Sequence, residues 1–472
     1  MNGFTAVVLG GKTIFDPYSS EENYVTDDRN VAFELHGDPI NNIRRQPYQF
    51  DNSRYYLVFN GRLYDYSNSP EEEIAMLFLA KGTLAFQELR GMFSLLIWDS
   101  KEMTMYGARD QFGMQSLYYM EWNEAFIFST GKLDFLNNMS INIEGLQHYF
   151  TYQYIPNPLT LSKDLYALKP GNYFIKEQNK PMECYRYFHA EFSPINTNRE
   201  EIKHEIRRVI TDSVHLQMQT EKPLGSFLSG GIDSSILVAI AKDKTPNLKT
   251  FSVGFDIDGY YEIEHAKRTV DRLGVENISY VISPEEFVEN ITKIVSIMDD
   301  PLADPSCVPL YIAAREAKKY VSVVLSGEGA DELFGGYNIY CEPFSLMVFN
   351  SLSKKINLIL NKLAAILPEG VRGKSFIERG TTPLELRFVG NAKIFEEHEK
   401  MQLIHNYQPE LTYHTITKKM YDHVRDLHPV NQMQYIDLHT WLPGNILAKA
   451  IQMTLAHSLE VQLLFWIQKY FI

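Results

Sequence analysis

Cysteine is almost missing from this chain: Cys184, Cys307 and Cys341 are the three present in 472 residues. So few thiols, so unevenly spaced, exclude a disulfide framework and a cysteine-based zinc site, and a reducing, cytoplasmic compartment is expected. Long apolar runs are missing too. Nothing approaches the roughly eighteen residues that a membrane helix requires, and the longest mixed stretch, 356–367, is broken by Asn357, Asn361 and Lys362 and is expected to be a core helix. The apolar stretch 4–11 is short and has no basic flank, so no signal peptide is expected. There is no excess of positive charge: 45 Lys and Arg stand against 59 Asp and Glu, a net charge of −14. Nonspecific nucleic-acid binding needs a basic footprint and is therefore not expected, nor is a membrane.

What is present reads as an ordinary globular composition, 45% hydrophobic and 22% charged. The length allows two or three domains. Up to about residue 190, short β-type runs at 55–60, 93–98, 105–108, 116–120 and 126–129 are separated by turns such as Asn60-Gly61 and Asp110-Gln111-Phe112-Gly113. That pattern predicts antiparallel sheet, and helices near 70–80 and 143–150 make it an α+β or layered sandwich domain. The polar, proline-marked stretch 192–199 predicts a linker. Beyond it the pattern alternates: helix 200–218, strand 224–228, helix 235–242, strand 248–253, helix 263–273, strand 278–281, helices 284–298 and 310–318, strand 321–325. Alternation of this kind predicts a doubly wound parallel sheet that binds its ligand at the carboxyl ends of the strands. From about residue 341 onward the sequence reads as mostly helical, and it contains no internal repeat.

Two glycine-rich segments fall at such strand ends. Residues 226–235 read Ser-Phe-Leu-Ser-Gly-Gly-Ile-Asp-Ser-Ser. Ser229, Gly230 and Gly231 let backbone N–H groups approach a polyphosphate, and Ser234 and Ser235 lie near the next helix N-terminus, where the dipole favours anions. Asp233 would repel bare phosphate, so a bridging Mg²⁺ is expected, and the loop points to ATP. Gly11-Lys12-Thr13 is a decoy for the other phosphate-loop pattern, because Ala6 stands where a glycine is needed. The second segment, Ser326-Gly-Glu-Gly-Ala-Asp-Glu-Leu-Phe-Gly-Gly-Tyr337, combines glycines with acids. Asp331 could complete a Mg²⁺ site with Asp233, and Glu328 could orient a reacting carboxylate or amine. No His or basic residue lies near Cys307 in sequence, so this thiol is expected to pack rather than react.

These loops, with Phe251-Ser-Val-Gly254, Asp304-Pro-Ser306 and Met453-Thr-Leu-Ala-His-Ser-Leu-Glu460, resemble asparagine synthetases of the glutamine-dependent type. The first part is similar too, through Phe59-Asn-Gly61, Gly91-Met-Phe93, Trp98-Asp99, Ala108-Arg-Asp110 and Pro170-Gly171. The resemblance implies an Ntn-hydrolase-like αββα sandwich of the class II glutamine amidotransferase type over 1–192, and a parallel-sheet ATP-pyrophosphatase domain over 200–472. It implies adenylation of a carboxylate, typically aspartate, with release of pyrophosphate and then attack by an amine. Leu228, Val253, Ser326 and Gly327 would hold the nucleotide. Ser229, Gly230, Gly231, Asp233 and Ser234 would hold pyrophosphate, with Mg²⁺ on Asp233 and Asp331. Glu328 would support the acyl-adenylate and its attack, and Lys449 would stabilise charge on the reacting phosphate. Partners are then a small carboxylate and an amine or ammonia donor, and a homodimer is expected.

The chain also departs from the family pattern. Asn2 stands where glutamine-using members carry the cysteine nucleophile, and Arg62 stands where Asn-Gly-Glu would place a carboxylate. No Arg-Gly-Pro-Asp motif occurs near residues 25–45, and Glu71 takes the place of a later Asp. After Lys449, Ile451, Gln452, Gln462, Leu464 and Trp466 replace the family pattern, and the chain reaches Ile472 short of the family's usual extent. An inactive first domain and an ammonia- or amine-fed ligase are expected; a lasso-type peptide macrolactam cyclase and a noncatalytic nucleotide-binding relative are the alternatives. β-Lactam synthetases resemble the fold but carry a tyrosine where this chain has Glu328.

Overall fold

The computed structural model describes residues 3–8, 23–36, 46–66, 69–122, 125–131, 139–193, 198–257, 262–368 and 370–465. Asn2, the 11–13 decoy and the segment from Trp466 lie outside them. In the first half run β1 (Gly3–Val8), β2 (Asn23–Val25), β3 (Val31–His36), β4 (Tyr48–Phe50), β5 (Tyr55–Leu63) and β6 (Gly91–Asp99). They are followed by β7 (Thr104–Arg109), β8 (Tyr118–Trp122), β9 (Ala125–Ser129), β10 (Leu165–Ala167), β11 (Asn172–Glu177) and β12 (Glu183–Arg186). They form two six-stranded sheets, ordered β10-β8-β9-β1-β3-β2 and β12-β11-β7-β6-β5-β4.

Side-chain alternation decides how these sheets stack. On β5 and β6, Tyr56, Val58, Leu96 and Trp98 join Phe4, Phe33 and Phe128 of the other sheet in one core. Their neighbours Leu57, Phe59, Leu95 and Ile97 turn the other way, onto helix α1 (Pro70–Lys81) through Ile74 and Phe78. Strand β6 therefore reads as a continuous apolar run, because both of its faces are buried. Burying each such large side chain stabilises by roughly 1.5–3 kcal/mol. Helix α1 starts where Ser69 accepts a hydrogen bond from the Glu72 N–H, with Pro70 preset for the first turn, and stops at Gly82, whose φ is 58°. Helix α2 (Ile143–Tyr152) packs instead on the second half, where Gln147 Nε2 donates to the carbonyls of Gln408 and Leu411 at 2.9 and 2.6 Å.

The second half holds α3 (Arg199–Gln217), β13 (Leu224–Phe227), α4 (Ile232–Lys244), β14 (Lys249–Phe255), α5 (Glu262–Leu273), β15 (Glu276–Ile282) and α6 (Pro284–Ile297). Next come α7 (Cys307–Lys318), β16 (Val323–Ser326), α8 (Ala330–Phe334) and β17 (Glu460–Leu463). The sheet order is β15-β14-β13-β16-β17 and every pairing is parallel. The chain leaves β13 toward β14 on one side and returns at β16 on the other, so the order reverses between β13 and β16. A crevice opens at the carboxyl end of such a reversal.

The region after residue 341 is mostly helical, as expected, and β17 adds a strand to the exposed side of β16, where unpaired backbone groups demand a partner. One expectation needs correction. The 356–367 stretch does form a helix, Lys354–Ile366, but it is not a core helix. Ile356, Leu358, Ile359, Leu363 and Ile366 are exposed, whereas the polar residues read as interruptions dock it: Asn357 Nδ2 donates to the Phe349 carbonyl at 3.1 Å and Asn361 Nδ2 to Thr381 Oγ1 at 2.9 Å.

Candidate active site

Both glycine-rich segments line the crevice between β13 and β16. The first follows β13 directly and leads into α4, which Gly231 precedes with an extended conformation. Gly230 has a φ of +81°, and a Cβ there would lie 2.5 Å from the Ala266 backbone nitrogen at the start of α5. Only glycine fits both the conformation and that approach. The hydroxyls fold the loop: Ser234 Oγ lies 3.1 Å from Ser229 Oγ and donates to the Gly231 carbonyl at 3.3 Å, while the Gly231 N–H donates to Ser229 Oγ at 3.3 Å. Ser229 and Gly231 remain exposed, so the free N–H groups that begin α4 open on the crevice. Ser235 turns away, its Oγ 3.1 Å from Thr269 Oγ1.

The second segment meets the first from β16. A Cβ on Gly327 would sit 3.4 Å from the Ser234 nitrogen and 3.5 Å from Asp233 Cβ, which puts the two loops in contact. Gly329 (φ 91°) and Gly335 (φ 70°) bound the short helix α8, and Gly336 lets Asp331 lie flat against the turn, since a Cβ there would lie 2.0 Å from Asp331 Oδ1. Asp233 and Asp331 are thereby brought together. Burial first, and then the Asp331 charge, raise the Asp233 carboxyl above its usual range; burial alone raises Asp331. Two half-buried carboxylates of this kind are a hard-oxygen donor pair suited to a divalent cation.

Lys449 reaches the crevice from the other side. Pro443 cannot donate to the helical ladder, and the helix widens into a π-helical segment over Leu442–Leu447 before Ala448–Leu455 resumes. The Lys449 ammonium then donates to Asp304 Oδ2 at 3.0 Å and Ser306 Oγ at 2.7 Å. Burial works against the charge, but Glu328 and Asp304 outweigh it and raise the lysine's pKa. Asp304 is held below the usual carboxylate range because Lys449 and hydrogen bonds from Ser306 overcome its burial.

Other expected positions lie at or near the carboxyl ends of β13, β14 and β16. Leu228 is buried, its N–H donates to the Phe251 carbonyl at 2.9 Å, and its own carbonyl accepts Ser252 Oγ at 2.6 Å. Val253 is half-buried on β14. Ser326 is buried, and its Oγ accepts the Glu328 N–H at 3.4 Å. Cys307 is buried and its thiol is pushed up to about 12, which is packing rather than nucleophile chemistry. Two residues carried no predicted role. Asp304 was legible in its motif but its pairing with Lys449 spans 145 positions. Glu332 is fully buried with its carboxyl pushed up to about 7 by burial; Tyr337 donates to its Oε1 at 2.7 Å, and Oε2 has no hydrogen-bond partner among the described residues. Only its neighbour Asp331 in the acidic segment hinted at it.

In the first half, Arg62 Nη1 forms an ion pair with Glu460 Oε1 at 3.0 Å and its other nitrogen donates to the Gln219 carbonyl, so this side chain is committed to the junction between the halves. No helix among the described residues is long and apolar enough to cross a membrane.

Comparison with known proteins agrees with this geometry. Residues 205–466 match the model of the family described as asparagine synthase, and residues 38–188 match that of a glutamine amidotransferase domain. The chain is 44% identical over 438 residues to "Asparagine synthetase [glutamine-hydrolyzing] 1" of Bacillus subtilis (strain 168), covering 89% of this chain and 69% of that protein. It is 38% identical over 439 residues to "Putative asparagine synthetase [glutamine-hydrolyzing]" of Mycobacterium bovis (strain ATCC BAA-935 / AF2122/97), covering 87% and 67%. A more distant relative, "Amidase chry2" of Gibberella zeae (strain ATCC MYA-4620 / CBS 123657 / FGSC 9075 / NRRL 31084 / PH-1), is 26% identical over 62% of this chain and 49% of its own. The chain belongs to the asparagine synthase family, carbon–nitrogen ligases with a glutamine amidotransferase-type domain ahead of a parallel-sheet synthase domain.

Proposed function

We propose that this chain is an ATP-dependent amide ligase that activates a carboxylate, aspartate first among candidates, and transfers to it nitrogen from ammonia or an amine. The observation that carries this reading is the facing pair Asp233 and Asp331, held by two touching glycine loops at the reversal point of the sheet. In this reading Ser229, Gly230, Gly231 and Ser234 bind the β- and γ-phosphates, and the crevice walls near Leu228, Val253, Ser326 and Gly327 hold the nucleoside. Mg²⁺ on Asp233 and Asp331 would neutralise pyrophosphate charge. The substrate carboxylate attacks the α-phosphorus, the α–β bond breaks and pyrophosphate leaves; amine nitrogen then attacks the acyl carbon and AMP leaves. Lys449, fixed by Asp304 and Ser306, supplies positive charge where the phosphate and tetrahedral oxyanion develop it. Glu328 orients the amine and accepts its proton.

Ammonia is the proposed donor because Arg62 spends its charge on Glu460, where binding the α-amine of glutamine would want a carboxylate. Asn2 in place of the cysteine supports the same reading. The test is pyrophosphate release from ATP, Mg²⁺ and aspartate with ammonium present, absent, or replaced by glutamine. Turnover with ammonium and none with glutamine is expected. ATP binding with no pyrophosphate for any carboxylic acid would replace this reading with a noncatalytic one, and turnover only with a precursor peptide would replace it with macrolactam formation.

A further inference from the structure

The segment that leaves the first half meets the helices of the second at a cluster of imidazoles. Ala190 is buried in the shared core, and its neighbours His189 and Glu191 both turn to the other side. There they meet His423, the last residue of helix His414–His423. His189 Nδ1 is 3.2 Å from Glu191 Oε1, and His423 Nε2 is 3.5 Å from the same oxygen. One ligand atom from each of the three residues lies within 4.8 Å of the others.

The geometry points to a site for a borderline divalent cation of the Zn²⁺ class, held by His189 Nδ1, Glu191 and His423 Nε2. Zinc takes such nitrogens and oxygens at about 2.0–2.2 Å with tetrahedral angles, which sets neighbouring ligand atoms about 3.3 Å apart. Both measured separations match that spacing. Ligating histidines require their second nitrogen to be held, and His189 has this: its Nε2 is hydrogen-bonded to Tyr435 OH. Tyr435 is buried, and one turn further on His439 Nδ1 hydrogen-bonds its carbonyl at 2.8 Å, which stiffens the support. His423 sits where a helix C-terminus favours positive charge. The Arg186 charge also acts on His189 and opposes a cation here. Two of the three ligands are largely exposed, with side-chain exposures of 56% for Glu191 and 50% for His423, so the ion exchanges with solvent and keeps a water as its fourth ligand. Once bound, it ties residues 189–191 to the helical part of the synthase half.

The test uses untagged full-length protein carrying Cys184→Ser and Cys341→Ser, stripped with chelator and kept in excess Mg²⁺ to saturate the carboxylates of the crevice. Zn²⁺ is titrated against a chromophoric chelator, and Co²⁺ is added in parallel for its tetrahedral visible spectrum. One equivalent of Zn²⁺, a rise in melting temperature, and loss of both in His423→Ala and Glu191→Ala are expected. Tyr435→Phe should weaken affinity about ten- to a hundredfold while leaving the stoichiometry intact. No uptake by the parent protein, or uptake unchanged in His423→Ala and Glu191→Ala, would overturn the site and leave a hydrogen-bonded His-Glu-His cluster. Neither result depends on whether the crevice makes amide bonds.

Discussion

The ammonium of Lys449 and the carboxylate of Asp304 form a buried ion pair, Nζ to Oδ2 at 3.0 Å, with side-chain exposures of 7% and 13%. Glu328 acts on the same ammonium, so this contact holds in place a cation that faces the acidic segment. Asp304→Ala strands a buried charge and should cost about 3–5 kcal/mol in urea unfolding. Asp304→Asn keeps an acceptor and should cost less, while pyrophosphate release falls in both.

Gly230 provides a backbone test. At Gly230→Ala the positive φ and the 2.5 Å approach to Ala266 combine, and a loss of about 1–3 kcal/mol is expected in thermal unfolding. Gly231→Ala is the control: its φ is ordinary, and its new Cβ would meet only Ser229 Oγ, at 3.3 Å. Equal melting temperatures for the two variants would contradict the loop geometry.

Asp233→Asn and Asp331→Asn should each lower pyrophosphate release roughly 10²- to 10³-fold, the size expected when one preorganised charge is lost. Neither should unfold the protein, because each removes a carboxylate that burial already disfavours. Chelation by EDTA should abolish turnover, and Mg²⁺ should restore it.

Glu332 makes stability depend on pH. Its folded pKa of about 7 lies above the ordinary 4.5, so the folded state keeps a proton that the unfolded chain has already released. Stability is therefore lost as pH rises from about 4.5 to 7, by about 3 kcal/mol at most. Glu332→Gln preserves an acceptor for Tyr337, and its stability relative to the parent should improve across that window. A pH-independent difference would show that the carboxyl does not titrate there.

Arg62→Ala removes a partly exposed pair and should cost about 0.2–1 kcal/mol, less at high salt. It should not produce glutamate release from glutamine. Glutaminase activity in either protein would sink the ammonia reading.

Much of this molecule was legible along the chain, wherever a short-range pattern caused the structure. Alternation on β5 and β6 reports which face each residue buries, and Ser229 to Ser235 announces a strand-loop-helix turn within ten residues. Legibility failed where distant partners decide. Val461 and Leu463 look no different from a helical tail until β16 presents an open edge. Ile359 looks like core until Asn357 and Asn361 turn inward and take the docking role. Asp304 and Lys449 were both visible, but nothing local paired them, and the convergence of His189, Glu191 and His423 is likewise a product of the tertiary fold.

Strand β17 also sets the order in which the molecule can be completed. Its partner β16 ends at Ser326, yet the residues that pair with it begin at Glu460, and Glu460 in turn receives Arg62 from 398 positions away. During synthesis the first four strands of the parallel sheet can assemble while its flank beside β16 waits, open and sticky, for more than a hundred further residues to emerge. The Arg62–Glu460 ion pair between the two halves forms only once that strand arrives, whereas the Arg62 bond to the Gln219 carbonyl does not wait for it. A ribosome stalled before Glu460 should therefore hold a chain whose first half is folded and whose second half still needs a chaperone.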